Sequence, residues 1–261
     1  MRSFAYETLS KAWGTKFLTS QLDSLVLATR PQGSYGTRFI LGEFSLHNRS
    51  GGAAVMGIGG RIPQGLWVAG QIVDAGDYTD DTPDAIDAGT SDFALTTTTN
   101  NDGFGIFSLI PFNIVSLVIG TAGAGGSPAW DLAYTLAGGT WGTISNAYVA
   151  PLFTATGEQL IWFEPPVDWA VSEAGHGTGV PVGYYGIRSR ATTAPSGTAA
   201  LATSMVLGRM LMTTEAVGDN AVLNNIGGGE LALPAQCDAI CAAISVANSQ
   251  NRASVGWRYA G

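Results

Sequence analysis

The chain has 261 residues and a net charge of −8, with 46% hydrophobic but only 12% charged residues. An acidic chain disfavours binding to nucleic-acid phosphates and to anionic membranes, so we predict neither partner. The length allows one large domain or two small ones. The 36 glycines favour strands and turns over long helices, and the low charge favours a surface partly covered by other subunits.

The first 23 residues are predicted to form an apolar arm. Phe4, Trp13 and Phe17 could contribute to one face of a short helix that Gly14 interrupts. Because an apolar arm at a terminus commonly docks onto the core or onto a neighbour, these three residues are candidates for partner binding.

Short apolar and alternating stretches follow, and each is bounded by glycine, proline or asparagine. In the second of them the alternation is interrupted at Gly42, which predicts a β-bulge there. The predicted strands are 25–29, 35–48, 53–58 and 66–73.

Seven aspartates lie between positions 74 and 92. The turn-forming residues among them predict an acidic linker loop at 76–90 without a helix. Asp77, Asp81 and Asp84 could supply oxygen ligands to calcium, which prefers several converging carboxylates. Their spacing does not match the EF-hand pattern, so we favour a solvated loop and predict no metal and no cofactor.

A long apolar run comes next. We predict a hairpin in which strands 93–99 and 104–109 flank a turn at Asn100-Asn-Asp-Gly, and then a buried strand at 112–119. Pro111 and Asn113 interrupt the run, so two strands explain it better than a membrane span. The glycine-rich stretch at 120–127 lacks the lysine of a phosphate-binding loop and indicates a flexible connection.

The strands are predicted to continue through the second half, with a hairpin turn at Gly138-Gly139. His176 lies in a glycine-rich loop, and no Gly-x-Ser-x-Gly motif accompanies it. A hydrolase that uses His176 with an aspartate is therefore the third of three function classes, and we predict no enzyme. The strands are predicted at 130–136, 141–150, 159–163 and 182–191. Residues 198–212 could form a helix, by their alanine content, or a strand, and we favour a strand.

The C-terminal region is predicted to contain a loop at 216–233, a helix at 234–247 and a tail at 249–261. Pro234 suits the first turn of a helix. The spacing of Cys237 and Cys241 places both on one helical face, which suits two buried thiols better than a disulfide. Trp257 and Tyr259 in the tail are further candidates for partner binding.

Four stretches between Asp92 and Ala200 together resemble a β-sandwich module found in virion structural proteins of tailed bacteriophages. The middle two look like features of that family: an aromatic hairpin that ends in tryptophan, and a Phe-x-x-Pro-x-Asp-Trp exit from a strand. Leu136-Ala137 replaces the tryptophan and asparagine usual in the family's hairpin. The stretches are 91–95 with 101–104, Tyr134-Thr-Leu-Ala-Gly-Gly-Thr-Trp141, 157–169 and 185–194.

The resemblance implies a mainly β protein with an antiparallel β-sandwich, jelly-roll or Ig-like, at 91–212. An N-terminal arm and β region at 1–75, the linker at 76–90 and a C-terminal loop, short helix and tail at 213–261 complete the predicted organisation. The module occurs in capsid decoration proteins and in tail or baseplate proteins, so in function the resemblance implies a virion protein. We favour a capsid decoration (cement) protein at the capsid surface, made in the host cytoplasm, because a low-charge chain with apolar arms at both ends can bury surface across subunits. Its partners would be the major capsid protein and its own copies, as a homotrimer.

The alternative is a tail or baseplate component that binds a receptor or glycan. In that case Trp141, Trp162 or Trp169 would stack on a sugar, whereas burial in the core explains the same residues equally well.

Overall fold

The structure is a computed structural model that describes residues 14–17, 22–27, 38–73, 76–89, 93–150, 152–225 and 229–260. It is mainly β, with several antiparallel sheets, as predicted. The chain divides into two compact units. Unit 1 comprises Met1–Arg61 and Met210–Gly261, and unit 2 comprises Ile62–Arg209.

The described elements are nineteen strands, one short helix and two 3-10 turns. The first strands are β1 (Gly14–Phe17), β2 (Leu22–Leu27), β3 (Arg38–His47) and β4 (Ala54–Ile62). The next elements are β5 (Trp67–Ile72), β6 (Tyr78–Asp80), α1 (Thr82–Ile86), β7 (Phe93–Ala94), β8 (Gly103–Ser108), β9 (Ile114–Thr121) and β10 (Ala129–Leu136). They are followed by β11 (Thr140–Thr143), β12 (Ala147–Val149), β13 (Gly157–Phe163), β14 (Tyr185–Thr193) and β15 (Leu201–Val217). The last are β16 (Val222–Asn224), β17 (Leu231–Ala232), β18 (Ala239–Ile244) and β19 (Arg252–Ala260), and the 3-10 turns are Gln64–Leu66 and Ala174–His176.

Unit 1 is built by pairing strands from the two ends of the chain. β19 lies between β1 and β3, while β18 lies between β2 and β4. Opposite Gly256, β3 has one extra residue, since Val255 pairs with Phe44 and Trp257 with Leu41. The predicted bulge at Gly42 is therefore confirmed. Aromatic and aliphatic side chains from β3, β4, β18 and β19 form the core of this unit.

Unit 2 contains a six-stranded sheet in the order β11-β10-β14-β8-β5-β6. A second set of strands runs β12-β13-β9-β15, and β7 pairs with β15. Residues of both sets contribute to one hydrophobic core, as expected when alternate side chains of two sheets face each other. The arrangement is sandwich-like. The predicted hairpin turn at Gly138-Gly139 is confirmed, because both glycines have positive φ between β10 and β11.

The predicted helix at 234–247 is wrong, since Ala239–Ile244 is strand β18. Every residue of this strand is buried, and neighbouring strands pair with both of its edges. A short run of uniformly apolar residues fits a buried strand as well as a helix, because periodicity does not separate them. The predicted tail is also wrong: residues 252–260 form β19. Cys237 and Cys241 are buried and not joined by a disulfide, as predicted.

Two predictions for 76–109 are wrong as well. The acidic segment is not all loop, because β6 pairs with β5 and Thr82–Ile86 forms α1, whose Ala85 is buried in the core of unit 2. The predicted hairpin does not form, because β7 pairs with β15 while β8 pairs with β14 and β5. The turn at Asn101, where φ is +68°, is present without the pairing it was expected to create.

Among the described residues, no helix is long and apolar enough to cross a membrane.

Candidate functional site

Three distant segments of unit 2 meet around the side chain of Trp169. The indole Nε1 of Trp169 donates hydrogen bonds to Thr135 Oγ1 and to the Gly186 carbonyl oxygen, both at 3.2 Å. Thr135 Oγ1 also accepts from Gly186 N at 3.1 Å and donates to Ala170 O at 2.6 Å. We call Tyr134, Thr135, Asp168, Trp169 and Gly186 the junction. Because Thr135 is fully buried, these bonds satisfy a hydroxyl that would otherwise be costly to bury.

Aromatic rings enclose the junction. The ring of Trp169 packs edge-on against Phe112, Phe163 and Tyr185, with centroid distances of 5.3, 5.7 and 5.7 Å. Such edge-to-face pairs add to the free energy gained from burial. The junction therefore fixes the turn after β13 against β10 and β14.

A groove of about 270 Å³ lies beside the junction. Its wall includes Tyr134, whose hydroxyl donates to Asp168 Oδ1 at 2.8 Å, and this hydrogen bond raises the pKa of Tyr134. Glu164 and Asp168 place carboxylates at the groove, and Val167 between them is fully exposed. Chemically, the groove offers hydrogen-bond acceptors beside an apolar tip. The remaining lining residues are Thr143, Ile144, Ser145, Asn146, Pro165 and Pro166.

His176 has a structural setting. The residue is only 4% exposed, and its Nδ1 accepts a hydrogen bond from Glu173 N at 2.9 Å within the 3-10 turn. The ring packs edge-on against Trp141 at 5.1 Å, and Trp141 Nε1 donates to His176 O at 3.2 Å. These contacts hold the 170–184 loop against the sheet.

The three tryptophans considered for sugar stacking are held within unit 2. Trp162 is fully buried. Trp141 is partly buried and has the Arg188 guanidinium 4.3 Å above its ring. Trp169 belongs to the junction.

The three aspartates considered for calcium do not form a ligand group. Asp77 is exposed before β6, Asp81 precedes α1 and Asp84 lies in its first turn. In the part of the chain that the structure describes, no cluster of three or more His, Cys, Asp or Glu residues could hold a metal ion.

The candidate partner-binding residues are placed unevenly. Phe4 and Trp13 lie outside the described residues, as do the side chains of Phe17 in β1 and Tyr259 in β19. Trp257 is partly buried and packs edge-on against Phe39 at 5.4 Å, within the core of unit 1.

The aromatic patch beneath the 170–184 loop was not predicted from the sequence. Tyr78 and Phe107 pack edge-on at 5.3 Å, with Ile72 and Val180 beside them. The sequence predicted a strand at 66–73, but Val180, which packs beside Ile72, comes from a segment more than a hundred positions later.

We expect alkaline pH to reveal the burial of Tyr78. Burial, reinforced by the Asp80 and Asp81 carboxylates, raises the pKa of Tyr78 well above its ordinary value. The folded state therefore holds this proton more tightly than the unfolded chain, whose tyrosine pKa is about 10. The contribution of protonated Tyr78 to the free energy of unfolding is fully present below about pH 10 and is lost as the pH rises above it. Urea unfolding at neutral and alkaline pH measures this loss, and Tyr78→Phe should make the alkaline decrease shallower. An equally steep decrease in that variant would contradict the assignment.

A scan against models of protein families found no match to this chain, and a search of curated proteins found no significantly similar sequence.

Proposed function

We propose that the protein is a structural virion protein of a tailed bacteriophage that decorates the capsid and bridges major capsid subunits. The observation that carries the proposal is the junction. Three of the four stretches that resemble the phage module supply its residues: Tyr134 and Thr135, Asp168 and Trp169, and Gly186. The similarity in sequence thus falls on residues that contact one another in unit 2.

The finer architecture we propose is an antiparallel sandwich of the jelly-roll or Ig-like kind at 91–212. It is supported by the core that both strand sets of unit 2 share. The large residues Phe104, Phe112, Phe153 and Phe163 are fully buried in this core.

The proposed partners are the major capsid protein and further copies of this chain, as a homotrimer on the capsid surface of particles assembled in the host cytoplasm. The turn at Val167 is a suitable contact. Pro166 restricts its backbone, the Tyr134–Asp168 hydrogen bond fixes its far side, and Val167 points fully into solvent. A rigid apolar tip loses little conformational entropy when it inserts into a partner.

The test uses capsids of the encoding phage that lack this protein. We expect added protein to co-sediment with expanded capsids and to raise the temperature at which they rupture. Val167→Asp should weaken binding, because it places a charge at the contact. Val73→Asp is the matched control, since Val73 is exposed in the same unit and the charge change is identical.

Two results would count against this function. One is the failure of the protein to bind capsids at any stage of expansion. The other is density for the chain at the tail tip alone in a particle reconstruction, which would favour the tail or baseplate alternative.

A further inference from the structure

Arg188 is a partly buried cation without an ion-pair partner among the described residues. It projects from β14, between Ala133 of β10 and Gly105 of β8. Its guanidinium lies over the ring of Trp141, 4.3 Å from the centroid. Its Nε is buried and has no hydrogen-bond acceptor. Charges removed from water are normally paired, so this setting is unusual.

A second arginine increases the positive charge at this position. Arg190 lies two residues along β14 on the same sheet face. Burial is the main cause that lowers the pKa of Arg188 to about 10, and the charge of Arg190 is the second cause. Asp131 lies opposite Arg190. Among the described residues it is the one carboxylate that offsets the positive charges of Arg188 and Arg190. It contacts Arg190 Nη2 at 3.4 Å, which is long for an ion pair, and Arg190 Nε is also buried without an acceptor.

The geometry selects the class of ligand. Stacking on Trp141 occupies a face of the guanidinium and leaves its in-plane N–H donors available at the terminal edge. Carboxylates accept from such an edge through two parallel hydrogen bonds. Because Arg188 is only partly buried, a carboxylate from outside the chain can reach this edge.

The chain itself is a suitable source of that carboxylate. It has 20 acidic residues against 12 basic ones. Asp77, Asp80 and Asp87 are exposed, so copies of the chain present many carboxylates to one another. Between acidic copies, a site with two arginines and one aspartate is a point of attraction in an otherwise repulsive pair of surfaces.

We propose that Arg188, supported by Trp141 and Arg190, binds a carboxylate side chain of a second copy of this chain. The inference rests on the self-association included in the proposed function. It assigns a residue and an ion-pair chemistry to that self-association.

The experiment measures self-association of the full chain by sedimentation velocity over a range of protein concentrations at low and high salt. Arg188→Gln should weaken the association roughly 30-fold or more, because it removes a desolvated charge pair. Arg188→Lys should restore part of it, since lysine keeps the charge without the planar fork. Arg38→Gln is the control, because it removes the same charge from an exposed site on β3. Thermal unfolding of each variant verifies that it is folded.

The possible outcomes test the Arg188 site separately from the proposed capsid function. Salt-sensitive association that is lost in Arg188→Gln and kept in Arg38→Gln supports the proposal. If the wild type associates and Arg188→Gln associates equally well, the carboxylate site is wrong while capsid binding remains to be judged by its own assay. A wild type that stays monomeric at every concentration overturns both the site and the homotrimer.

Discussion

Replacing Trp169 by alanine is expected to lower the free energy of unfolding by about 3–5 kcal/mol, the usual cost of deleting a large aromatic side chain from a packed site. The loss combines three ring contacts, with Phe112, Phe163 and Tyr185, and two hydrogen bonds from one indole nitrogen. Urea denaturation followed by circular dichroism measures it. The slope of the transition should stay constant if the native state keeps its compactness.

Trp169→Phe separates the two contributions. Phenylalanine keeps most of the ring packing but lacks the N–H, so Thr135 Oγ1 and Gly186 O each lose one donor. We expect a smaller loss of about 1–3 kcal/mol, the net contribution of two hydrogen bonds, because Thr135 Oγ1 keeps its bonds to Gly186 N and Ala170 O. Unchanged stability in Trp169→Ala would show that the junction does not hold these segments together.

Gly103→Ala is expected to be among the most damaging of the conservative glycine substitutions in unit 2. A Cβ at this position would collide with the Ser189 carbonyl oxygen and would lie 2.8 Å from Arg190 Cα. Both obstacles are backbone atoms of β14, which pairs with β8 in the middle of the six-stranded sheet. Because a paired backbone cannot move without breaking its ladder, we expect a loss of about 3 kcal/mol or more, at the upper end for overpacking.

Gly52→Ala provides the control for this effect. Nothing lies within 4 Å of a Cβ built at Gly52, so alanine there should leave the midpoint of thermal unfolding nearly unchanged. If Gly103→Ala were as stable as Gly52→Ala, the close approach of β8 and β14 at this point would be wrong.

The sequence predicted the strands that have a period-2 pattern or clear turn residues at their ends. β3 with its bulge, β5, β10 with its hairpin and β14 are examples. In these segments local preference and tertiary environment agree, so pattern alone was enough.

The secondary-structure predictions were wrong where the local sequence allowed two structures and tertiary packing selected one of them. The run Ala-Ile-Cys-Ala-Ala-Ile of β18 satisfies a helical stripe, but strands on both sides of it favour the extended form. At Thr82–Ile86, the burial of Ala85 stabilises a helix inside a segment whose aspartates indicate a loop. Neither contact can be read from neighbours in sequence.

The sequence indicated some residues of the junction but not the contacts between them. The motif stretches supplied Tyr134, Asp168 and Trp169. However, the role of Thr135 depends on Gly186, 51 positions away, and on Ala170, 35 positions away. A threonine hydroxyl in a strand carries no signal of such partners. Arg188 on its tryptophan platform likewise depends on a register between β10, β11 and β14 that only the folded chain sets.

The pairing of the chain's two ends in unit 1 has a consequence for synthesis. β2, β3 and β4 depend on β18 and β19, which the ribosome adds about two hundred residues later. Unit 2 is complete once residue 209 has emerged, so it can fold first while the early strands wait with open edges. Interrupted translation after unit 2 would therefore leave exposed strand edges, which are sites of aggregation, beside a folded domain.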